Sequence, residues 1–315
     1  MIVSVVYGGT KEERGASEKN AKDIAAALKT KGYEAILLPF QKGILERLKE
    51  VKTDVVYLCV QGKGYGDGTF QAILEQEGIP FTGSRMRAAG LINDKLLCKL
   101  VFDRFHIATP EWEVLTREQY EAGAYDYDKF GFPFVAKAPT QGGSFGIELI
   151  RGKEDIKKIA DVFSYDDPIL LERFIEGHFY TVGLYEKEGE TVTLPVVEGL
   201  DLREGEPRTA SMEKGLIQFT GDYGIRESKL QQSVAEKLSE MAGQVFKVTG
   251  ARGYARVDFM VDGANNPYVL EINAVPGLKR ASLMPREAQA AGIAYEDMIE
   301  DILKAALRFA ETKEE

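Results

Sequence analysis

Arg256, Asp258, Glu271 and Asn273 are the residues of this 315-residue chain whose types and spacing most directly suggest chemistry. They lie in two apolar runs, Tyr254–Val261 and Tyr268–Asn273, separated by the turn-forming stretch Asp262-Gly-Ala-Asn-Asn266. An antiparallel hairpin closed there sets Asp258 opposite Glu271 and Arg256 opposite Asn273. Side chains alternate along a strand, so these four project from one face, while Val257, Phe259, Leu270 and Ile272 project from the other into a core. Two carboxylates and a carboxamide form a set of hard oxygen donors suited to Mg²⁺. The guanidinium beside them can hold a phosphate or a developing negative charge. The competing reading is a solvated outer face with ordinary cross-strand charge pairs.

A second candidate is the stretch Pro139-Thr-Gln-Gly-Gly-Ser-Phe-Gly146, between the apolar strands Phe132–Ala138 and Ile147–Ile150. Gly142, Gly143 and Gly146 let a ligand approach the backbone closely, and successive N–H groups there could cradle phosphate oxygens. Lys137, at the end of the preceding strand, reaches the same place; a flexible turn with a lysine extended to solvent would look alike. Lys95 stands beside Asp94 at a helix start, a common surface position. The run Leu170–Ile175 reads equally as a two-sided core strand or as a linker against which a nucleotide base packs.

The elements that must position these groups follow from periodicity. The first third alternates apolar runs with amphipathic stretches: Ile2–Val6, Ser17–Lys29, Ala35–Leu38, Asp54–Val60 and Thr69–Gln76. This rhythm predicts a small parallel sheet flanked by helices, with ligand-facing loops at the strand ends, where Gly8, Gly9, Gly62, Gly64, Gly66 and Gly68 fall. A helix over Asp94–Phe105 leads into an α+β unit containing a helix over Lys153–Val162 and a strand over Ile169–Phe174. Two strands flank Glu188-Gly-Glu190, the segment Asp201–Tyr223 reads as a long loop, and helices are predicted over Lys229–Val248, Pro285–Ala291 and Tyr295–Glu311. The glycines do not match the dinucleotide fingerprint, and no GxxxxGK[ST] loop occurs, which excludes a P-loop NTPase.

Composition narrows the partners. Lys and Arg total 40 against 50 Asp and Glu, a formal charge of -10, and no basic run follows a phosphate backbone, so nucleic acid is not expected. The first apolar stretch, Ile2–Tyr7, is too short for a signal peptide or a membrane span, so the chain reads as cytoplasmic with no membrane partner. Cys59 and Cys98 sit in apolar segments and read as buried free thiols. With His106 and His178 the only histidines, a zinc site or a histidine-based triad is not expected.

Ordered blocks along nearly the whole chain resemble the ATP-grasp superfamily, and within it the D-alanine–D-alanine ligase family. They are Tyr7-Gly-Gly-Thr-Lys-Glu-Glu-Arg14, Gly66-Asp-Gly-Thr69, Ile79-Pro-Phe-Thr-Gly-Ser84, Asn93-Asp-Lys95, Gly253-Tyr-Ala-Arg-Val-Asp258 and Leu270-Glu-Ile-Asn-Ala-Val-Pro-Gly277. The resemblance implies a mixed α/β and α+β fold: a Rossmann-like pre-ATP-grasp domain over residues 1–90, then a two-lobed ATP-grasp domain with a small central lobe (91–173) and a C-terminal lobe (174–315) bearing the metal and substrate site. It implies an ADP-forming ligase that turns one carboxylate into an acyl phosphate, which the amine of a second amino acid attacks. Its cofactors would be ATP and two Mg²⁺ ions held by Asp258, Glu271 and Asn273, with Mn²⁺ an acceptable substitute. Lys95 and Lys137 would bind the nucleotide's phosphates, Glu172, Phe174 and Ile175 would line its adenine, and Gly143, Ser144 and Lys214 would complete the ATP-binding set. Arg256 and the N–H of Gly277 would stabilise the tetrahedral intermediate, Glu13 would accept from the first ammonium, and Ser282 with Leu283 would hold the second amino acid. Pairing of subunits is common in such ligases and implies a homodimer through the N-terminal domain.

Departures from the family pattern cluster on the substrate side. Gly143 stands where a serine is usual, with Ser144 beside it; Lys214-Gly215 replaces a Lys-Tyr pair; Gln61 replaces a histidine and Gly66 a common acid. Phe179 occupies the position of a ribose-binding glutamate, with Glu176 near but out of register. Removing hydroxyls from a hydrogen-bonding site alters discrimination, so these glycines imply room for a bulkier first substrate. Two other readings stay open: an ATP-grasp ligase using another amino acid or a non-amino-acid carboxylate, and a catalytically silent ATP-binding protein. The persistence of Arg256, Gly277 and Ser282 argues against silence, because those groups serve the intermediate and the second substrate rather than the nucleotide.

Overall fold

The structure is a computed structural model that describes residues 1–9, 14–62, 64–143, 145–201, 208–209 and 223–311. Its first body contains β1 (Ile2–Gly9), α1 (Arg14–Thr30), β2 (Glu34–Pro39), α2 (Ile44–Glu50), β3 (Val55–Gln61), α3 (Thr69–Gln76) and α4 (Met86–Asn93). The three strands are parallel in the order β2-β1-β3. Their continuous apolar runs follow from burial on both faces, as a parallel sheet requires. Val3, Val5, Val55 and Tyr57 pack against Ala21, Ile24 and Leu28 of α1. Val6, Val56, Leu58 and Val60 pack on the other side against Ile44, Leu48, Phe70 and Leu74.

The second body begins with α5 (Lys95–Arg104), whose first turn is capped by the Asp94 carboxylate accepting from the N–H groups of Leu96 and Leu97. It continues through β4 (Trp112–Leu115), α6 (Arg117–Glu121), α7 (Tyr127–Phe130), β5 (Phe134–Lys137), β6 (Ile147–Ile150), α8 (Ile159–Val162) and β7 (Ile169–Arg173). The strands form an antiparallel sheet in the order β4-β7-β5-β6. The helix expected over Lys153–Val162 divides: Lys153–Lys158 is a 3₁₀ helix and only its end is α. The tighter i→i+3 bonding suits this exposed segment, which has no side-chain cap to start an α-turn.

The third body comprises β8 (Gly177–Lys187), β9 (Glu190–Thr193), β10 (Val197–Asp201), β11 (Arg208–Thr209), β12 (Tyr223–Glu227), α9 (Gln232–Val248), β13 (Tyr254–Asp262), β14 (Pro267–Asn273), α10 (Leu283–Ala290) and α11 (Tyr295–Glu311). Its sheet runs β11-β10-β8-β13-β14, with β12 also on β10 and β9 also on β8. The loop expected over Asp201–Tyr223 is therefore shorter than its bounds: both ends belong to strands and Arg208–Thr209 pairs with β10. The remainder lies outside the described residues.

These bodies share cores. The apolar stripe of α9 (Leu238, Ala242, Val245, Phe246) packs on Val257, Phe259 and Ile272 together with Cys98 and Phe102 of α5. Met298, Ile299, Ile302 and Leu303 of α11 join Tyr185 and Tyr254 to the first sheet's core. Both cysteines are buried free thiols, as the sequence predicts. Gly253 sits at a positive φ of 70°, and a Cβ there would stand 2.9 Å from the Gly83 nitrogen. Alongside it the Tyr254 hydroxyl donates to the Leu58 carbonyl at 3.2 Å. Gly253→Ala is expected to cost roughly 1–3 kcal/mol, because it adds both backbone strain and a clash. Urea denaturation would show this, and an unchanged midpoint would contradict it.

Candidate active site

The hairpin of β13 and β14 has the expected pairing at its functional end: Arg256 opposite Asn273 and Asp258 opposite Glu271. Beyond Asp258 a bulge sets Phe259 opposite Val269, leaving Leu270 unpaired. Leu270 was expected in the core beside Val257 and Phe259; the extra residue resets the alternation, and Val269 takes that place. Leu270 packs with Ile175, Phe179, Met260 and Leu283 in a small separate cluster.

Asp258 is nearly fully buried and holds four donors together. Arg256 clasps it with Nε at 2.7 Å and Nη2 at 2.6 Å, the Thr181 hydroxyl donates at 2.8 Å, and the Asn273 amide donates at 3.1 Å. Asn273 also lies 3.3 Å from Glu271. Lys95 is 3.2 Å from the other Glu271 oxygen and donates to the Gln141 carbonyl at 2.8 Å, tying the hairpin to the glycine-rich loop. Lys95 is thus buried rather than on the surface. Burial opposes ionisation of Glu271, but the charges of Lys95, Lys137 and Arg256 prevail and hold its carboxyl below the usual range.

The glycine-rich loop is shaped by two left-handed residues, Gly143 at φ 60° and Gly146 at φ 64°. A Cβ on Gly146 would come within 2.7 Å of the Ala138 Cβ, and Asp166 fixes the loop's entry by accepting from the N–H and hydroxyl of Thr140. Below it, Lys137 and Lys99 both pair with Glu172. Burial alone would push the Glu172 carboxyl up, yet the two ammonium groups hold it at about 2. Phe174 and Ile175 follow on the same strand exit, partly buried, with Ile175 in the Leu270 cluster.

A second neighbourhood is the turn from Gly277 to Ser282. Asn20 accepts from the Lys279 N–H at 2.8 Å, Asp23 from that of Arg280 at 3.0 Å, and Tyr295 donates to the Leu278 carbonyl at 2.6 Å. A Cβ on Gly277 would lie 3.1 Å from the Ser282 oxygen, so these two expected site residues are neighbours. The Ser282 hydroxyl does not cap α10. Leu283, also expected at the substrate, is buried in the Leu270 cluster. The two neighbourhoods are linked by Glu287 of α10, whose carboxylate accepts from the Gly183 N–H. Gly183 is the residue paired with Arg256 across the sheet, and burial pushes the Glu287 carboxyl up to about 8.

Glu13, Ser144, Lys214 and Gly215 lie outside the described residues. Gln61 ends β3 opposite Gly9, Phe179 is buried with the ring over Gly199, and Glu176 is exposed. Sequence reasoning passed over Lys99, Thr181 and Glu287. Lys99 had a signal: Lys95, Cys98, Lys99 and Phe102 share one stripe of α5, so a second lysine on an apolar face required a buried partner.

Around the site, Lys95, Lys99, Lys137 and Arg256 stand against the carboxylates of Glu172, Asp258 and Glu271. This cationic excess beside a glycine-rich loop suits a polyphosphate. Among the described residues no three His, Cys, Asp or Glu side chains gather into a metal-binding group. Two carboxylates with one carboxamide match the small share of ligands that proteins give Mg²⁺, whose remaining positions go to water and phosphate oxygens.

A family model described as D-ala D-ala ligase C-terminus matches residues 101–304. The D-alanine–D-alanine ligase of Pelotomaculum thermopropionicum is 34% identical, the match covering 97% of this chain and 96% of that one. That of Moorella thermoacetica is 33% identical over 98% and 99%. The crystal structure of the Bacillus anthracis D-alanine–D-alanine ligase complexed with ATP superposes with a TM-score of 0.81 at 28% identity, over 99% of each chain.

Proposed function

The chain belongs to the D-alanine–D-alanine ligase family, and from that membership we propose that it joins two D-alanine molecules at the expense of ATP, as an ATP-grasp ligase. The carboxylate of the first attacks the γ-phosphorus, giving an acyl phosphate and ADP. The neutral amine of the second then attacks the acyl carbon; the C–N bond forms, the acyl C–O bond breaks with its electron pair going to the departing phosphate, and the nitrogen gives up a proton to solvent. The observation that supports this best is the unbroken run of contacts from Arg256 through Asp258, Asn273, Glu271 and Lys95 to Gln141 in the glycine-rich loop.

In this reading Lys95, Lys137 and the N–H groups about Gly143 bind the phosphates, with Ser144 and Lys214 completing the set. Phe174 and Ile175 line the adenine beside Glu172. Asp258, Glu271 and the Asn273 carbonyl hold Mg²⁺, which, when bound, neutralises phosphate charge. Arg256 lies on the same face as the metal ligands, so its guanidinium can turn from Asp258 toward the oxygen that becomes negative as the amine adds. The Gly277 N–H supplies a second donor to that oxygen. Ser282 holds the carboxylate of the second substrate beside Leu283, and Glu13 accepts from the first ammonium. Among the described residues no helix is long and apolar enough to cross a membrane.

Incubation with Mg-ATP and mixed D- and L-amino acids, followed by mass spectrometry, is expected to yield D-alanyl-D-alanine with stoichiometric ADP. Larger D-amino acids belong in the panel because Gly143 replaces a serine. Omitting Mg²⁺ should stop ADP release and Mn²⁺ should restore it. A product lacking D-alanine, or no amino-acid-stimulated ADP, would overturn the assignment.

A further inference from the structure

We propose that Lys99 is a positioning residue of the nucleotide site, a fixed counter-ion to Glu172 that frees Lys137 to leave that carboxylate for the phosphates of ATP. The inference rests on the ATP-binding reading above and assigns a part to a lysine that reading leaves idle.

Glu172 is almost wholly buried, with Lys137 on Oε2 and Lys99 on Oε1. The two lysines differ in how they are held. Lys99 is completely buried and donates also to the Thr109 hydroxyl, which in turn donates to the Val269 carbonyl at 2.7 Å. The Val269 N–H closes the link on the Ala108 carbonyl at 2.8 Å. Lys99 is thereby fastened to β14, two residues from Glu271. Among the described residues Lys137 has no such tether: it ends β5 at the mouth of the Gly142–Gly146 loop and retains some exposure.

A buried carboxylate stripped of its last cation is strongly destabilised. Were Lys137 the sole partner of Glu172, its departure toward a phosphate would leave that charge uncompensated, and phosphate binding would have to overcome the loss. With Lys99 in place, Glu172 keeps one cation throughout, and Lys137 is an excess positive charge in the ligand-free site. The low titration of Glu172 agrees with two cations acting on it, and burial pulls Lys99 below the usual lysine range, as expected for a cation with no solvent.

Lys99→Met removes the charge while keeping the bulk, leaving a neutral Lys137–Glu172 pair. Calorimetric titration of the full chain should then show a Kd for Mg-ATP raised about tenfold or more, because a charge-assisted contact to phosphate is lost. The Kd for adenosine, which carries no phosphate, should stay within about twofold of the unaltered chain's. Unchanged Mg-ATP affinity would overturn the proposal, and so would equal weakening of Mg-ATP and adenosine, the mark of a collapsed pocket. Should that variant fail to fold, Thr109→Val removes the tether instead, and the same split between the two ligands decides. If the unaltered chain does not bind Mg-ATP, the ligase reading itself fails; if it does and Lys99→Met binds equally well, only this inference fails.

Discussion

Arg256→Met is expected to lower kcat by about 10²–10³-fold, the usual loss when one preorganised donor to a developing oxyanion is removed. Arg256 is the cation on the Asp258–Glu271 face that is carried by the hairpin itself, opposite Asn273 and two residues from Asp258. Burial would lower its pKa, but Asp258 more than compensates and keeps it charged. Arg256→Lys should recover little, since a lysine cannot reproduce the forked contact with Asp258. Removing the guanidinium also strips Asp258 of its main partner, and breaking a buried pair costs about 3–5 kcal/mol, so lower thermal stability should accompany the loss. Initial rates of ADP release at saturating substrates, at a temperature where the variant remains folded, provide the measurement. A kcat within about fivefold of the unaltered enzyme would remove Arg256 from the reacting centre.

Glu172→Gln should lower stability by about 3–5 kcal/mol at neutral pH, because it leaves Lys99 and Lys137 buried without a counter-charge. The effect has a defined pH dependence. The folded-state pKa of Glu172 lies at about 2, below its ordinary 4.5, so its stabilising contribution is fully present above about pH 4.5 and is lost as pH falls toward 2. The gap in urea midpoint between the two proteins should therefore be constant from pH 7 to pH 5 and narrow below it. A gap that is small at pH 7, or that widens on acidification, would show that Glu172 is not held as a carboxylate between two lysines.

The central features were legible because they depend on local periodicity. Apolar runs and amphipathic stretches located β1, α1, β2, β3 and α3 to within a few residues, and α3 at its full extent. The hairpin's functional face followed from strand alternation and a turn of evident composition. Less legible were elements with weak period, such as α2, α4 and the short β4, and the division of the segment Lys153–Val162 between 3₁₀ and α geometry. The bulge at Leu270 left no mark, since Val269, Leu270 and Ile272 are all apolar and either register buries a plausible set.

By itself the sequence determined that two carboxylates, a carboxamide and an arginine share one side of a hairpin, and that a glycine-rich loop follows a lysine, because strand alternation and glycine's conformational freedom act over a few residues. Only the tertiary structure decided which charges meet. Lys95 reaches Glu271 from a helix more than 170 residues away, Lys99 and Lys137 converge on Glu172 from two further elements, and Glu287 arrives over Gly183 from α10. Such pairings depend on how separate bodies pack, and a buried ion finds its partner only when the surrounding core has excluded water from both.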